Sequence, residues 1–325
     1  MANIKEIAKR AGVSVTTVSR VLNGYPYVSE AKRKAVLDVV AKLNYTPNYN
    51  AVYLAKGKTN SIGIVVPFVN HPYFSAISQG IANAALHYNY RLVTCQTNYD
   101  PEEEMKALQL LQMRQLDGLI ICSKTLDWTQ IEPFTTYAPI VACEDTGHHS
   151  IPCVHINHYQ GFTLGMQHLT QQGHRHIGYC IARRNSFNSI QRKQAYYDAL
   201  TQIQEPIHSE WVFEGCIEIR DGVRVVREWL MMKERPTALL VSSDQVAAGI
   251  VIEARKQGVG VPEDLAVVGF DNHPISEIMD ITTIEHPSVA LGTNAFELLF
   301  KQIKGEKPLS QSIELPIRLI KRYTT

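Results

Sequence analysis

The sequence lacks any apolar run of about 18 residues, the length that a membrane-spanning helix needs. Its first residues also lack the apolar core of a signal peptide. These absences predict a cytoplasmic protein with no membrane partner. Apolar residues nevertheless make up 45% of the chain, which argues against a disordered polypeptide.

Metal and redox motifs are also missing. The six cysteines are scattered and none has CxxC spacing, and several lie inside apolar runs, as Cys122 does. This pattern predicts buried thiols rather than disulfides or metal ligands. His168, His174 and His176 do not match a common zinc spacing, so we expect no metal and no cofactor.

Signatures of catalysis are absent as well. The chain has no nucleophile elbow, P-loop or dinucleotide-binding fingerprint, and Ser242-Ser243-Asp244 has no credible base beside it. We therefore expect that the protein is not an enzyme, and turnover of a bound ligand would contradict that expectation.

The charge is distributed unevenly along the chain. The whole chain carries a net charge of +1, but residues 1–60 hold ten basic and three acidic residues, a net of +7. The other 265 residues hold 22 basic and 28 acidic groups, a net of −6. Residues 1–60 are called the head below. Because basic surfaces associate with phosphate backbones through counterion release, the head is predicted to bind nucleic acid.

The head has the pattern of a helix-turn-helix. A first helix is indicated by apolar residues at helical spacing, namely Ile4, Ile7, Ala8 and Ala11. Gly12 can adopt the positive φ that ends this helix, and Ser14 can cap a second helix that begins at Val15. The second helix has an apolar inner face of Val18, Val21 and Leu22 and a polar outer face of Thr16, Thr17, Ser19 and Arg20.

A short helix with small hydroxyls and one arginine suits the DNA major groove, because hydroxyls reach phosphates and arginine reads guanine. The alternative is an unrelated three-helix domain with a polar second helix. A third helix is predicted after Ser29, with Val36, Val39, Val40 and Leu43 at helical spacing and an end near Asn44. The segment from Tyr49 to Lys58 is about two turns long, so it is either a plain linker or a helix that folds on DNA.

From Asn60 onward, apolar runs of strand length, among them Arg91–Gln96 and Glu210–Phe213, alternate with helical stretches, which predicts parallel sheets covered by helices. The helices of the body are predicted at Phe74–Tyr88, Pro101–Gln115, Ser189–Gln204, Gly222–Leu230 and Ala247–Gln257. A weak repeat is visible, since Gly63 and Gly178 lie 115 residues apart in similar contexts. Two similar α/β lobes predict a ligand cleft outside the carboxyl ends of their strands.

These features together resemble the lactose-repressor (LacI/GalR) family of bacterial transcription regulators over essentially the whole chain. The resemblance implies a small all-α helix-turn-helix head and a two-lobed α/β body of the type I periplasmic-binding-protein kind, with parallel sheets. Its marks are Val13 to Asn23, Tyr45-Thr46-Pro47-Asn48, Gly173 to Gly178, Val261 to Leu265, Val268-Gly269-Phe270-Asp271 and Thr282-Thr283.

The resemblance also implies an organisation. We expect a DNA-binding domain at 1–47, a hinge at 48–59 and a body at 60–325. Within the body, the N-lobe is expected at about 60–157 plus 288–318 and the C-lobe at about 158–287 plus 319–325. Because one recognition helix reads only a half-site, a homodimer on a near-palindromic, double-stranded operator is expected. Some relatives add a C-terminal heptad helix that ties dimers into tetramers, and because this chain stops after an apparent strand, a dimer rather than a tetramer is expected.

DNA contacts follow from the resemblance residue by residue. Base edges are expected to be read by Val15, Thr16 and Arg20, and the DNA backbone to be contacted by Ser14, Thr17 and Ser19. Leu54 matches a leucine that a hinge helix wedges into the minor groove, with Ala51 and Lys56 beside it. Many relatives have arginine where this chain has Val52, which leaves one backbone contact in doubt. The alternative for Leu54 is packing against the body.

The resemblance further implies an effector site formed by Tyr73, Phe74, Asn157, Arg192, Ser243 and Asp271. Many relatives carry aspartate at Asn157 and asparagine at Ser243, so the ligand need not be a typical one. Asp271 and Arg192 could instead form a structural ion pair across the cleft, and Phe74 could simply be a core residue.

Polar groups beside aromatic rings favour a sugar or a sugar phosphate, with Lys124 and Arg192 as possible phosphate ligands. A purine and a protein corepressor remain alternative effectors. A different class, a transport-type solute-binding protein, would share the body but would need a secretion signal and would have no use for a basic head.

Overall fold

The computed structural model describes residues 3–45, 57–306 and 312–325. Two compact units are present, Met1–Thr59 and Asn60–Thr325. The predicted hinge residues Ala51, Val52, Leu54 and Lys56 and the Thr46-Pro47-Asn48 mark lie outside the described residues.

The head consists of three helices, α1 (Ile4–Ala11), α2 (Val15–Leu22) and α3 (Glu30–Lys42). Gly12 ends α1 with φ 66°, and the Ser14 hydroxyl caps α2 by accepting a hydrogen bond from the Thr17 amide. Both features agree with the sequence. The Ser29 side chain, in contrast, makes no capping hydrogen bond to α3. Ile7, Val18 and Val36, one from each helix, are fully buried and form the centre of the small core.

The body contains two six-stranded sheets, each with helices on both faces. The strands of the first sheet are β1 (Ser61–Val66), β2 (Arg91–Gln96), β3 (Gly118–Ile121), β4 (Ile140–Ala142), β5 (Cys153–Ile156) and β11 (Ser312–Leu315). Those of the second are β6 (Ile177–Cys180), β7 (Val212–Phe213), β8 (Ala238–Val241), β9 (Ala266–Asp271), β10 (Thr282–Glu285) and β12 (Arg318–Ile320). The first sheet has the order β11-β5-β4-β3-β1-β2 and the second β12-β10-β9-β8-β6-β7.

All strand pairs within these sheets are parallel except β10 with β12, among the residues that the structure describes. The helices of the body are α4 (Pro72–His87), α5 (Pro101–Gln112), α6 (Trp128–Ile131), α7 (His158–Gln171), α8 (Phe187–Gln202), α9 (Ile219–Met231), α10 (Asp244–Lys256), α11 (Pro274–Ile278) and α12 (Ser288–Ile303). The fold class predicted from the sequence, with its helical head and parallel α/β body, is confirmed.

Each lobe has a helix pair that approaches closely at glycines. In the first lobe, a Cβ on Gly80 of α4 would collide with the Val289 carbonyl of α12, and one on Gly292 would collide with the Ile77 carbonyl. In the second lobe, Gly222 of α9 and Gly249 of α10 are in the same situation. Since interiors are close-packed, an added methyl at these crossings would force the helices apart.

The predicted strand at 210–213 is shorter than expected, because Ser209–Trp211 forms a 3-10 turn before β7. No helix in the described part of the chain has the length and apolar character to cross a membrane.

Candidate functional site

The outward face of α2 carries the residues predicted to read DNA. Val15 is 41% exposed, and Thr16 and Arg20 are exposed as well. The Arg20 guanidinium lies 6.0 Å from the ring of Tyr25, which follows α2. This places an apolar, a hydroxyl and a cationic side chain on one helical face, a combination that can contact base edges in a major groove.

The predicted backbone-contacting residues border that face. Ser14 is exposed, whereas Thr17 and Ser19 are partly buried. The Ser14 hydroxyl lies 2.9 Å from the Thr17 hydroxyl as well as capping the helix. The Ser14 and Thr17 hydroxyls therefore lie at the amino-terminal end of α2, where backbone N–H groups and the helix dipole favour an anion such as phosphate, whereas Ser19 lies in the second half of the helix.

In the body, the carboxyl ends of the strands of both lobes line one cleft with about 760 Å³ of space, part of it open to solvent. Five of the six predicted effector residues line it, namely Tyr73, Phe74, Arg192, Ser243 and Asp271. Asn157 is outside the lining, and its side-chain oxygen accepts a hydrogen bond from the Gln160 amide at 3.0 Å, which caps α7. The structure therefore brings five predicted residues together and gives the sixth a capping role.

Asp271, the last residue of β9, is held in the cleft by His286. Its carboxylate oxygen lies 2.9 Å from the buried His286 Nε2. Asp271 also has φ 114°, a conformation that residues with a side chain rarely adopt. Strained backbone of this kind is often kept where it positions a functional group.

Arg192 projects from α8 over the Phe270 ring, with its guanidinium carbon 4.8 Å from the ring centroid. One terminal nitrogen lies 3.1 Å from Nδ1 of His158, and the buried Nε has no hydrogen-bond partner among the described residues. Burial lowers the pKa of the Arg192 guanidinium, while the nearby Asp271 opposes that effect. An unsatisfied buried donor of this kind is suited to a ligand oxygen.

The alternative ion pair between Arg192 and Asp271 is not formed. Both residues belong to the second lobe, so a pair between them would not cross the cleft, and the side chain that contacts the Asp271 carboxylate is the His286 imidazole. The alternative for Phe74 holds in part, since this residue is buried in the core at the same time as it lines the cleft.

The contact between His158 and the Arg192 guanidinium depends on the charge of the His158 imidazole. Burial, followed by the nearby charge of Arg192, lowers the pKa of His158 well below its ordinary value. The imidazole is therefore neutral at pH 7, and its Nδ1 can accept a hydrogen bond from Arg192. His71, another cleft residue, has a buried Nδ1 with no partner in the described part of the chain.

Ser243 and Asp244 lie where β8 leads into α10. The Ser243 hydroxyl accepts from the Gln245 amide and so caps this helix while lining the cleft. Asp244 is fully buried and accepts hydrogen bonds from the Thr283 hydroxyl at 2.6 Å and the His273 amide at 2.7 Å. Burial, and then the charge of Asp271, raise the pKa of Asp244 to about 7.

Lys124 does not line the cleft. Its ammonium donates to the Leu126 carbonyl at 2.8 Å and lies 3.8 Å from the buried carboxylate of Glu144. Arg183 lines the cleft instead, although it belongs to none of the family motifs in the sequence. Of the two predicted phosphate ligands, the structure thus places Arg192 in the cleft and engages Lys124 elsewhere.

Comparisons with known proteins agree with this arrangement. Residues 3–48 match the family described as bacterial regulatory proteins, lacI family. Residues 59–323 match periplasmic binding proteins and sugar binding domain of LacI family. The uncharacterized HTH-type transcriptional regulator YkvZ of Bacillus subtilis (strain 168) is 45% identical over 324 residues, and the alignment covers 100% of both chains. The NTD biosynthesis operon regulator NtdR of the same strain is 41% identical over 330 residues, again with 100% of both covered.

Among solved structures, the lac repressor dimer bound to operator and the anti-inducer ONPF matches with a TM-score of 0.85 and 28% identity, over 99% of this chain and 98% of that one. A LacI family regulator from Lactobacillus casei with bound sucrose matches with a TM-score of 0.76 and 25% identity, over 82% of this chain and 99% of that one. A helix-turn-helix head joined to a two-lobed body with a cleft defines a DNA-binding regulator of the class that responds to small molecules. The chain belongs to the LacI family of bacterial transcriptional regulators, which is not a family of enzymes.

Proposed function

We propose that this regulator is a repressor that binds a near-palindromic operator as a homodimer and is controlled by a sugar or sugar phosphate in the cleft. The observation that carries the effector class is the meeting of Asp271, Arg192 and the Tyr73 ring in one cleft. A carboxylate accepts and a guanidinium donates hydrogen bonds to hydroxyl groups, and an aromatic ring covers the apolar face of a sugar.

Unsatisfied donors and acceptors strengthen the case for a polyhydroxylated ligand. Arg192 Nε and His71 Nδ1 are buried at the cleft with no partner in the described residues. A ligand with several hydroxyls would satisfy such groups, whereas an apolar ligand would leave them unpaired at a cost of about 1–3 kcal/mol each. Control of DNA binding requires that this ligand bind the two lobe arrangements with different affinity.

Dimerisation is supported by the exposed edge of the first sheet. β2 is the edge strand, and its Val93 is 38% exposed. Leu86 of the preceding helix is 73% exposed, and Val69 is exposed as well. An edge strand with apolar side chains favours pairing with another chain, and a second copy supplies the second recognition helix that a palindrome needs.

The DNA contacts belong to the same proposal. Val15, Thr16 and Arg20 would read bases, Ser14, Thr17 and Ser19 would contact phosphates, and Ala51, Leu54 and Lys56 would enter the minor groove. The domain boundaries 1–47, 48–59 and 60–325 follow from it, with 48–59 as the hinge.

The test begins with selection of an operator from random DNA by the full-length protein, which should yield an inverted repeat. Thermal unfolding is then measured with neutral sugars, sugar phosphates and purines. A ligand at about 100 times its Kd adds roughly 2.7 kcal/mol of stability. A stabilising sugar or sugar phosphate should also change operator affinity, and Asp271→Ala should abolish both effects while the exposed control Glu102→Ala keeps them.

Stabilisation by purines alone would contradict a sugar or sugar phosphate effector and would indicate a purine instead. A folded protein that responds to none of the small molecules, yet changes operator affinity with a partner protein, would point to a corepressor. Selection of an asymmetric site or no site would contradict the dimeric operator.

A further inference from the structure

A second cluster of polar side chains lies at the β5–β11 edge of the first sheet. Cys153 and His155 are two residues apart on β5, so their side chains lie on the same face of the sheet. Cys153 is opposite Ser312 of the neighbouring strand β11. Both β5 residues are buried, at 1% and 8% exposure.

The two side chains converge on a single point. Cys153 Sγ lies 3.5 Å and His155 Nε2 3.0 Å from the Ser312 hydroxyl. Asp145, in the loop between β4 and β5, completes the group, because one potential ligand atom from each of Asp145, Cys153 and His155 lies within 4.8 Å of the others. None of the three lines the effector cleft.

Neighbouring backbone groups orient two of these side chains. His155 Nδ1 faces the Ile156 carbonyl at 3.4 Å, which favours the tautomer that leaves Nε2 with its lone pair. One carboxylate oxygen of Asp145 accepts from the Gly147 amide at 2.8 Å, so the other oxygen remains available. Contacts of this kind are common behind metal ligands, where they hold the donor atoms toward the ion.

We propose that Asp145, Cys153 and His155 form a zinc site, independent of the effector cleft. Sulfur, nitrogen and oxygen donors are the ligands that Zn²⁺ binds at about 2.0–2.3 Å, so a small inward movement of the three side chains would complete the coordination. Binding displaces the thiol proton of Cys153 to solvent, and the resulting thiolate and the Asp145 carboxylate together balance the two charges of the ion.

With three protein ligands, the fourth tetrahedral position is left for water or for the Ser312 hydroxyl, which already contacts two of the ligands. The ion would tie the β4–β5 loop to the edge of the sheet. The sequence does not reveal the site because Asp145 precedes Cys153 by eight residues and reaches it through a loop, outside the common zinc spacings.

The experiment uses full-length protein that has been treated with a chelator and then titrated with Co²⁺, a spectroscopic substitute for Zn²⁺. The expected result is one Co²⁺ per chain, with visible bands of tetrahedral cobalt and a near-ultraviolet cobalt–thiolate charge-transfer band, all removed by Zn²⁺. Cys153→Ser should abolish the charge-transfer band, and Asp145→Asn and His155→Ala should each weaken binding by at least about tenfold.

Cys95→Ser is the matched control, because Cys95 lies on β2 at the opposite edge of the same sheet and should not affect the spectrum. Circular dichroism establishes that each variant is folded. If Cys153→Ser does not fold, Asp145→Asn at the partly exposed loop position carries the test. The proposal would be overturned if the parent protein showed no cobalt–thiolate band. It would also be overturned if the band and the Co²⁺ affinity were unchanged in the variants of the three ligands.

Discussion

The guanidinium carbon of Arg183 lies 3.7 Å from the ring centroid of Tyr99, and the two residues belong to opposite lobes of the body. Arg183 also donates to the Lys124 carbonyl at 3.0 Å and lies 3.4 Å from the Ser123 hydroxyl, both in the first lobe. A cation–π contact of this kind is worth about 0.5–2 kcal/mol, depending on how far it is desolvated. Arg183 therefore holds the two lobes together at the rim of the effector cleft.

Arg183→Ala should shift the lobes toward an open arrangement. If the substitution destabilises the closed arrangement of the lobes by about 1.4 kcal/mol, the open-to-closed ratio rises tenfold. The affinity for a ligand that needs the closed state should fall by a similar factor. Small-angle scattering should show a larger radius of gyration without ligand. The control is Arg184→Ala, because Arg184 is exposed and pairs with Glu214 within its own lobe at 3.3 Å. Equal dimensions and ligand affinity in the two variants would contradict the role of Arg183.

The backbone of Asp271 leads to a second prediction. At φ 114° a Cβ is unfavourable, and strain of this kind costs about 1–3 kcal/mol. Asp271→Gly and Asp271→Ala both lose the hydrogen bond to His286, but only glycine relieves the strain. Asp271→Gly should therefore be about 1 kcal/mol more stable than Asp271→Ala in urea unfolding, although we expect both variants to lose effector binding. If alanine were the more stable of the two, the strain at this position would be refuted.

Several elements could be predicted from the sequence because local chemistry decides them. The turn at Gly12 and the cap at Ser14 depend on neighbouring residues alone, and β2 has the bounds that its apolar run predicts. Helix α7, in contrast, was not predicted. It contains Gly161 and Gly165, which are poor helix formers, yet a Cβ at either position would press on Phe270 or Leu240. Tertiary packing therefore requires glycine at positions where glycine lowers the helical propensity, so the local sequence pattern does not indicate this helix.

In the cleft, too, some features could be predicted from the sequence and others depend on tertiary contacts. Asp271 could be carried over from a family motif, but its partner His286 lies outside the family motifs in this sequence. His286 follows β10, which pairs with β9 so that Glu285 is opposite Asp271. Its position after a strand at the carboxyl edge was the available signal. The capping role of Asn157 and the contact of Arg183 with the other lobe depend on three-dimensional neighbours, which no spacing in the sequence indicates.

Arg20→Ala should reduce sequence discrimination at one base pair of each operator half-site. Arg20 is exposed on the outward face of α2, and a bidentate contact to guanine contributes roughly 1–3 kcal/mol of discrimination. The measurement is the affinity for the selected operator and for single-base variants at fixed salt. Arg10→Ala, on α1, serves as the control, because Arg10 pairs with Glu6 and any phosphate contact there would act on all sequences alike. A uniform loss of affinity in Arg20→Ala would show that Arg20 binds phosphate.

The neutral His158 makes stability depend on pH. Burial, together with the charges of Arg192, His286 and His155, lowers the pKa of His158 well below 6.5 in the folded protein. Below pH 6.5 the unfolded chain takes up a proton that the folded chain resists, so this contribution to stability is present above pH 6.5 and is lost as the pH falls toward the folded pKa. His158→Asn keeps an acceptor for Arg192 and cannot titrate, so its free energy of unfolding should fall less between pH 7.5 and about pH 5.

Urea unfolding at a series of pH values measures the difference, with His87→Asn as an exposed control outside the cleft. Parallel pH curves for the parent protein and His158→Asn would show that His158 is not the neutral acceptor on which Arg192 depends.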